Sequence, residues 1–229
     1  MGWTDERGPV IGPEVDVAVD NDVVLKAACY GLAVRFWPHR DGEPSVGVLG
    51  AAPFVLAKAV GRGDRVHDEK AAMDALGDFF ARAAVLEPTD DEVTAAAELE
   101  HSAQRAGLAL DSGESQLAAM VAGRSISMLE TGDKRAVRAL QGLIGNPVCS
   151  VLGGRVRCLE QLFLRLLDIA GDEYPALVSA VCSEPDVDKA ASICFGCHSG
   201  GEANGGAVQV ALGSYVASLR AEAPDVLAV

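Results

Sequence analysis

Three acidic residues stand where the pattern of the sequence places chemistry. Asp20 closes the apolar run Val15 to Val19, Asp133 follows the run Ile126 to Leu129 by way of Thr131-Gly132, and Glu114 opens the helical segment before that second run. Such runs read as short buried strands. In a parallel α/β sheet the ligand-carrying loops gather at the carboxyl ends of the strands. Carboxylates brought together there repel one another unless a cation neutralises them, and hard oxygen donors suit Mg²⁺ or Mn²⁺. A plainer reading stays beside this one: Asp22, Glu114 and Asp133 each stand at a helix start and could serve only as caps.

The second constellation is Cys194-Phe195-Gly196-Cys197-His198. C-x-x-C-H is a c-type haem attachment pattern, but attachment takes place outside the cytoplasm and Met1 to Glu14 predicts no export signal. A zinc or iron site built on Cys194 and Cys197 needs about two further soft ligands. Cys182 and either Cys149 or Cys158 are candidates, whereas adjacent Cys197 and His198 do not easily share one ion. In a cytoplasmic chain six cysteines point to thiols or metal ligands rather than a disulfide framework, and the expectation is buried, unliganded thiols. His39, His67 and His101 lack convincing partners and read as surface or capping residues.

The elements that must position these residues follow from periodicity and caps. Val15 to Val19 predicts a strand and Val23 to Ala33 a helix; Val46 to Leu49 predicts a second strand, and Pro53 to Val60 a helix ending in the turn Gly61-Arg62-Gly63-Asp64. Asp68 to Val85 reads as one amphipathic helix, with Ala72, Leu76, Phe79, Phe80 and Ala83 on one face. Thr89-Asp90-Asp91-Glu92 is a capping-box pattern that predicts a helix to Ala106, closed by Gly107. Asp111-Ser112-Gly113-Glu114 caps a helix from Ser115 to Ala122. Ile126 to Leu129 predicts a strand and Lys134 to Leu143 a helix; Val148 to Leu152 reads as a strand and Arg155 to Ala170 as a helix. Strands alternating with helices imply an α/β fold, a three-layer parallel sheet flanked by helices. Beyond Gly171, the segments Tyr174 to Val181, Val187 to Cys197 and Val208 to Arg220 all look helical, with Ser199 to Gly206 as a joint. The expected organisation is an N-terminal tail over 1–14, an α/β domain over 15–170 and a helical C-terminal extension over 171–229.

Two segments resemble a known family. Val17-Ala18-Val19-Asp20-Asn21-Asp22-Val23-Val24-Leu25 resembles the opening strand of PIN-domain proteins, which ends in Asp, a variable residue, then Asn, Ser or Asp. Leu110 to Ala118 looks like the Gly-Glu segment of one PIN-like subgroup, and Ile126 to Arg138 like its following strand and Thr-Gly-Asp-Lys-Arg turn. The resemblance covers about residues 15 to 170. It implies a metal-dependent endoribonuclease in which Asp20, Glu114 and Asp133 hold Mg²⁺ or Mn²⁺ and a bound water attacks phosphorus in line. The family places a further acid on an intervening helix; Glu98 is assigned to it, with Glu100 and Asp111 as rivals. The resemblance also implies that Thr131 orients a ligand or water, and that Lys134, Arg135 and Arg138 meet the phosphate backbone of single-stranded RNA. Asp20-Asn21-Asp22 fits equally the opening of haloacid-dehalogenase-like phosphatases, with Asp20 as nucleophile and Asp22 as acid/base. That family follows Gly-Asp with another Asp about four residues on, and Gly132-Asp133 is followed by no such acid, so the phosphatase ranks below the nuclease.

Composition sets the outer bounds. About half the residues are apolar, enough for one good core. No run of about 18 apolar residues is present to span a bilayer, and Met1 to Glu14 predicts no secretion signal, so the expectation is a soluble cytoplasmic protein. A formal charge of −14 argues against a general nucleic-acid-binding surface. Residues 120 to 170 run against that trend, with seven Lys and Arg against four Asp and Glu, and such a local basic zone can hold a phosphate strand. The acidity and the long helical tail also fit a second reading, a catalytically weak PIN-like module that binds a protein partner, and a homodimer stays open.

Overall fold

The computed structural model describes residues 15–38, 45–62, 65–124, 126–198 and 204–229. Five short strands, β1 (Val17–Val19), β2 (Val46–Leu49), β3 (Ala84–Leu86), β4 (Met128–Thr131) and β5 (Val156–Cys158), form one sheet in the order β3-β2-β1-β4-β5. Every pairing is parallel, with Val17 opposite both Val46 and Met128. The strand order reverses at β1, so the crevice outside the carboxyl ends of β1 and β4 is the switch point where such sheets bind ligands.

Alternation along the central strand divides the core. Val17 and Val19 face one layer and Ala18 the other. The first layer holds α1 (Asn21–Cys29), α2 (Ala33–Phe36), α3 (Ala52–Val60), α4 (Glu69–Phe80) and α9 (Leu159–Ala170). The second holds α5 (Asp90–Arg105), α6 (Ser112–Arg124), α7 (Lys134–Gly142) and α8 (Pro147–Val151). This is the three-layer α/β architecture expected from the sequence.

Four predicted elements are revised. The helix expected from Val23 to Ala33 splits because Gly31 takes a left-handed φ of 63°, which separates α1 from α2. The helix expected to run to Val85 stops at Phe80, and Ala84–Leu86 is instead the edge strand β3. Val148 to Leu152, expected as a strand, lies in and just beyond α8: Asn146 caps it by accepting the Val148 amide at 2.9 Å, and Pro147 sits in the first turn, where its missing N–H costs nothing. The last strand, β5, lies within the stretch expected to start α9, and α9 begins only at Leu159.

The C-terminal helices α10 (Tyr174–Cys182), α11 (Lys189–Cys194) and α12 (Gly205–Glu222) do not stand apart as an appendage. Leu177, Val181, Phe195, Val208 and Leu212 belong to the first core layer, while Val216 and Leu219 belong to the second. Phe195 packs edge-on against Phe163 of α9, with centroids 5.2 Å apart. The last residues then cover the β5 edge: Val156 donates to the Val226 carbonyl at 3.0 Å and Ala228 donates to the Val156 carbonyl at 2.7 Å. An edge strand left open would be a template for pairing with other chains, and the tail closes it.

The thiol expectation is also corrected. Cys182, the last residue of α10, and Cys197, in the turn that follows α11, form a disulfide with Cα atoms 5.0 Å apart; Cys29, Cys149, Cys158 and Cys194 stay free and buried. Among the described residues no helix is long and apolar enough to cross a membrane. The expected N-terminal tail, His39, Gly63-Asp64 of the predicted turn and residues 199–203 of the predicted joint lie outside the described residues.

Candidate functional site

Each acid singled out in the sequence is placed by a local device. The Asp20 amide donates to the Glu130 carbonyl at 2.9 Å, which ties the end of β1 to β4, and its Oδ1 accepts the Asn21 amide at 2.8 Å to cap α1. Asp133 caps α7 by accepting the Arg135 amide at 2.7 Å. Glu114 and Asp111 form a reciprocal cap on α6: the Asp111 amide donates to Glu114 Oε2 and the Glu114 amide to Asp111 Oδ1, both at 2.9 Å. Thr131 joins the first two, its hydroxyl donating to Asp20 Oδ2 at 3.4 Å and accepting the Asp133 amide at 3.2 Å. Between them Gly132 has no room for a side chain, since a Cβ there would lie 2.0 Å from Asp22 Oδ2.

These caps share one hollow. Asp20, Asp22, Asp111, Glu114 and Asp133 line it together with Asn21 and Lys26, and Leu49, Ala51 and Val55 form its apolar side. Asp20, Asp133 and the Asp111–Glu114 pair thus cap helices and also meet at the switch point, whereas Asp22 caps no helix and lies in the first turn of α1, bonded to Lys26.

Electrostatics distinguishes the members. Burial pushes the Glu114 carboxyl up to about 8, and the charges of Asp111, Asp20 and Asp133 add to the effect against the opposing hydrogen bond from the Asp111 amide. Burial likewise raises Asp20 to about 6, helped by Asp22 and Asp111. Asp133 goes the other way: burial opposes its charge, but the hydrogen bonds and charge of Arg135 outweigh burial and hold it below the usual carboxylate range. Lys26 is the cation in the wall, and its Nζ lies 2.6 Å from Asp22 and 2.7 Å from Asp188.

Several assignments change. Glu98 does not join the hollow. The inward face of α5 is Glu92, Ala96, Leu99 and Ala103, so Glu98 turns to solvent and lines a separate depression with His101 and Asn146. Of its rivals, Glu100 accepts the Ser115 hydroxyl at 2.7 Å, and Asp111 is the one that lies in the hollow. Lys134 does not point to a strand of phosphates: its ammonium lies 2.5 Å from buried Glu160 and over the Tyr215 ring. Arg135 grips Asp133 through Nε and Nη2, and Arg138 pairs with Glu222. Thr131 is buried and acts on the acids. His67, read as unpartnered, bonds Asp186 at 3.2 Å.

The sequence reading also missed Glu130, buried in the middle of β4, which accepts from Trp37 Nε1 at 2.8 Å and Arg157 Nη1 at 2.7 Å. An acid inside an otherwise apolar parallel strand was the available signal. Asp188, contributed by the tail, carried no such mark.

The donors fit a hard divalent cation in kind, being carboxylate oxygens with too little positive charge nearby. Among the described residues, no group of three or more His, Cys, Asp or Glu is arranged to hold a metal ion. At Cys194 and Cys197 the disulfide uses one thiol and burial pushes the other up to about 11, which leaves no thiolate pair for zinc. No family model, curated protein or solved structure matches the chain.

Proposed function

We propose that the chain is a PIN-like endoribonuclease that uses Mg²⁺ or Mn²⁺ to cleave single-stranded RNA at this hollow. The observation that carries the reading is the meeting of Asp20, Glu114 and Asp133 in one hollow at the switch point, where burial and then neighbouring like charges raise the carboxyls of Asp20 and Glu114. Asp20, Glu114 and Asp133 would hold the cation, with Asp111 in the place first given to Glu98. A divalent ion held by these residues would supply a more acidic water and charge stabilisation for phosphodiester hydrolysis. The chain's own residues set this up. Thr131 fixes Asp20 relative to the Asp133 amide, Lys26 neutralises Asp22, and Arg135 holds Asp133 until a cation competes for it.

The test is thermal and catalytic together. Mn²⁺ is expected to raise Tm by several degrees, and Asp20→Asn with Asp133→Asn to abolish the rise, since a ligand that binds only the native state stabilises it by mass action. Asp133→Asn alone should keep the fold, because Asn caps about as well as Asp, and lose cleavage of a mixed single-stranded RNA pool. Equal cleavage by wild type and Asp133→Asn places activity elsewhere.

A second reading, a partner-binding module without catalysis, is favoured by the Asp133–Arg135 pair, which occupies one proposed ligand. It becomes the better reading if metal-loaded wild type cleaves nothing. The phosphatase reading is weakened by Asp22, whose carboxylate is tied to Lys26 instead of standing free as an acid/base. Against the cytoplasmic location expected from the sequence stands the Cys182–Cys197 bridge, since disulfides persist mainly in oxidising compartments.

A further inference from the structure

The apolar wall of the hollow continues outward along α3. Ala51 and Val55 line the hollow, and Phe54, one residue from Val55, is 80% exposed. Lys58 lies one helical turn beyond Phe54 on the same face, and Arg62 follows just past the end of the helix. Neither Lys58 nor Arg62 has a hydrogen-bond or ion-pair partner among the described residues, whereas Lys26, Arg124, Lys134, Arg135, Arg138 and Arg157 are all paired. On a chain of formal charge −14, an exposed ring followed by two unpaired cations gives an anionic strand attraction next to the acids of the hollow.

We propose that the exposed α3 face of Phe54, Lys58 and Arg62 is the track on which single-stranded RNA leaves the hollow, with a base stacked on Phe54 and phosphates at Lys58 and Arg62. This rests on the RNA reading of the hollow and assigns it a substrate track. It also replaces the assignment of phosphate contacts to Lys134, whose ammonium is spent on Glu160. Every base offers a π-face, so a lone exposed ring binds single strands without sequence preference, and flanking cations hold the backbone. A protein partner fits less well. A standard interface buries about 800 Å² on each side around an apolar centre, and the exposed large apolar residues of this face are Phe54 and Val55.

The test is fluorescence anisotropy with a short labelled oligouridylate in Mn²⁺. The host is the Asp133→Asn variant, and a gel checks that the strand stays whole. An abasic ribose-phosphate strand of equal length is the second probe. Phe54→Ala is expected to weaken oligouridylate binding roughly five- to a hundredfold, the range for one lost base–aromatic stack, and to leave abasic binding and Tm unchanged. Phe54→Trp should restore binding, and Lys58→Ala should flatten the salt dependence of log Kd by about 0.7 for each lost phosphate contact. Val85→Ala, at an exposed apolar residue of β3, is the control without effect.

Unchanged oligouridylate affinity in Phe54→Ala overturns the track, as does an equal loss for the abasic strand or no affinity of the host for either probe. Loss of self-association in Phe54→Ala with RNA affinity intact also overturns it, in favour of a second copy of the chain. The two readings separate cleanly. Phe54-dependent binding with no cleavage by wild type keeps the track and removes the nuclease, whereas cleavage by wild type that Phe54→Ala leaves intact, with unchanged affinity, removes the track alone.

Discussion

Glu114 and Glu160 each sit in the first turn of a helix, both are buried, and both stand near the carboxyl end of the sheet, yet their surroundings are opposite. Glu160 has the Lys134 ammonium at 2.5 Å. Glu114 has the like charges of Asp111, Asp20 and Asp133 around it, and its carboxyl rises to about 8. The same contrast separates whole regions. Beside the hollow, Glu130 is matched by Arg157 and Trp37, and Asp188 by Lys26. Within it, Asp20 and Glu114 meet backbone amides and a hydroxyl but no cation. A buried acid supplied with its counter-charge holds the fold together. One denied it raises the free energy of its own charged form.

The comparison breaks most visibly on the matched side. Arg157→Met leaves Glu130 buried without its cation, and the expected loss of stability in urea unfolding is about 3–5 kcal/mol, the range for breaking one side of a buried pair. A loss below about 1 kcal/mol would place Glu130 among the loosely held acids of the hollow.

On the unmatched side the sign reverses. A carboxyl raised in the folded state favours folding when protonated, so its contribution is complete below the unfolded pKa and disappears as pH rises through the folded value. For Asp20 that window closes near 6 and for Glu114 near 8. Tm without divalent cation is therefore expected to fall from about pH 4 to about pH 8, by an amount worth about a few kcal/mol. Glu114→Gln keeps the capping hydrogen bond and should remove the upper part of the fall, and Mn²⁺ should shift the curve upward most at the alkaline end. A wild-type profile that Glu114→Gln leaves unchanged would mean that Glu114 is as well compensated as Glu160.

The smallest effect sharpens the boundary between the two regions. Arg135 lies at the surface, so its pair with Asp133 adds little to stability, and Arg135→Ala should barely move Tm. Its expected effect is on Asp133, released for a cation. Mn²⁺ titration by calorimetry should show tighter binding than wild type, and weaker binding would give Arg135 a part in holding the site together.

What could be read from the chain itself was whatever is decided within about four residues. Asp20 at the end of a valine strand, the Thr89–Glu92 capping box and the Gly132-Asp133 turn before α7 carry their reasons in the local sequence, because a cap satisfies amides two or three positions away. From these the alternation of strands and helices followed, and with it the parallel sheet and the meeting of Asp20, Glu114 and Asp133 at one end of it. Wherever the deciding partner is distant, tertiary structure alone settled the matter. Ala84–Leu86 and Val156–Cys158 are three-residue strands that no periodicity separates from helix; they are strands because β2 and β4 offer free edges. Asp111 enters the hollow and Glu98 does not because α5 turns Leu99 to the core and so turns Glu98 out. Lys134 looked free for phosphate until α9 brought Glu160 against it, and Cys182 and Cys197 looked like thiols until the chain through α11 returned to the end of α10 and joined them. Local hydrogen bonds are written in neighbouring residues, whereas burial and counter-charge depend on which distant segment the core brings alongside.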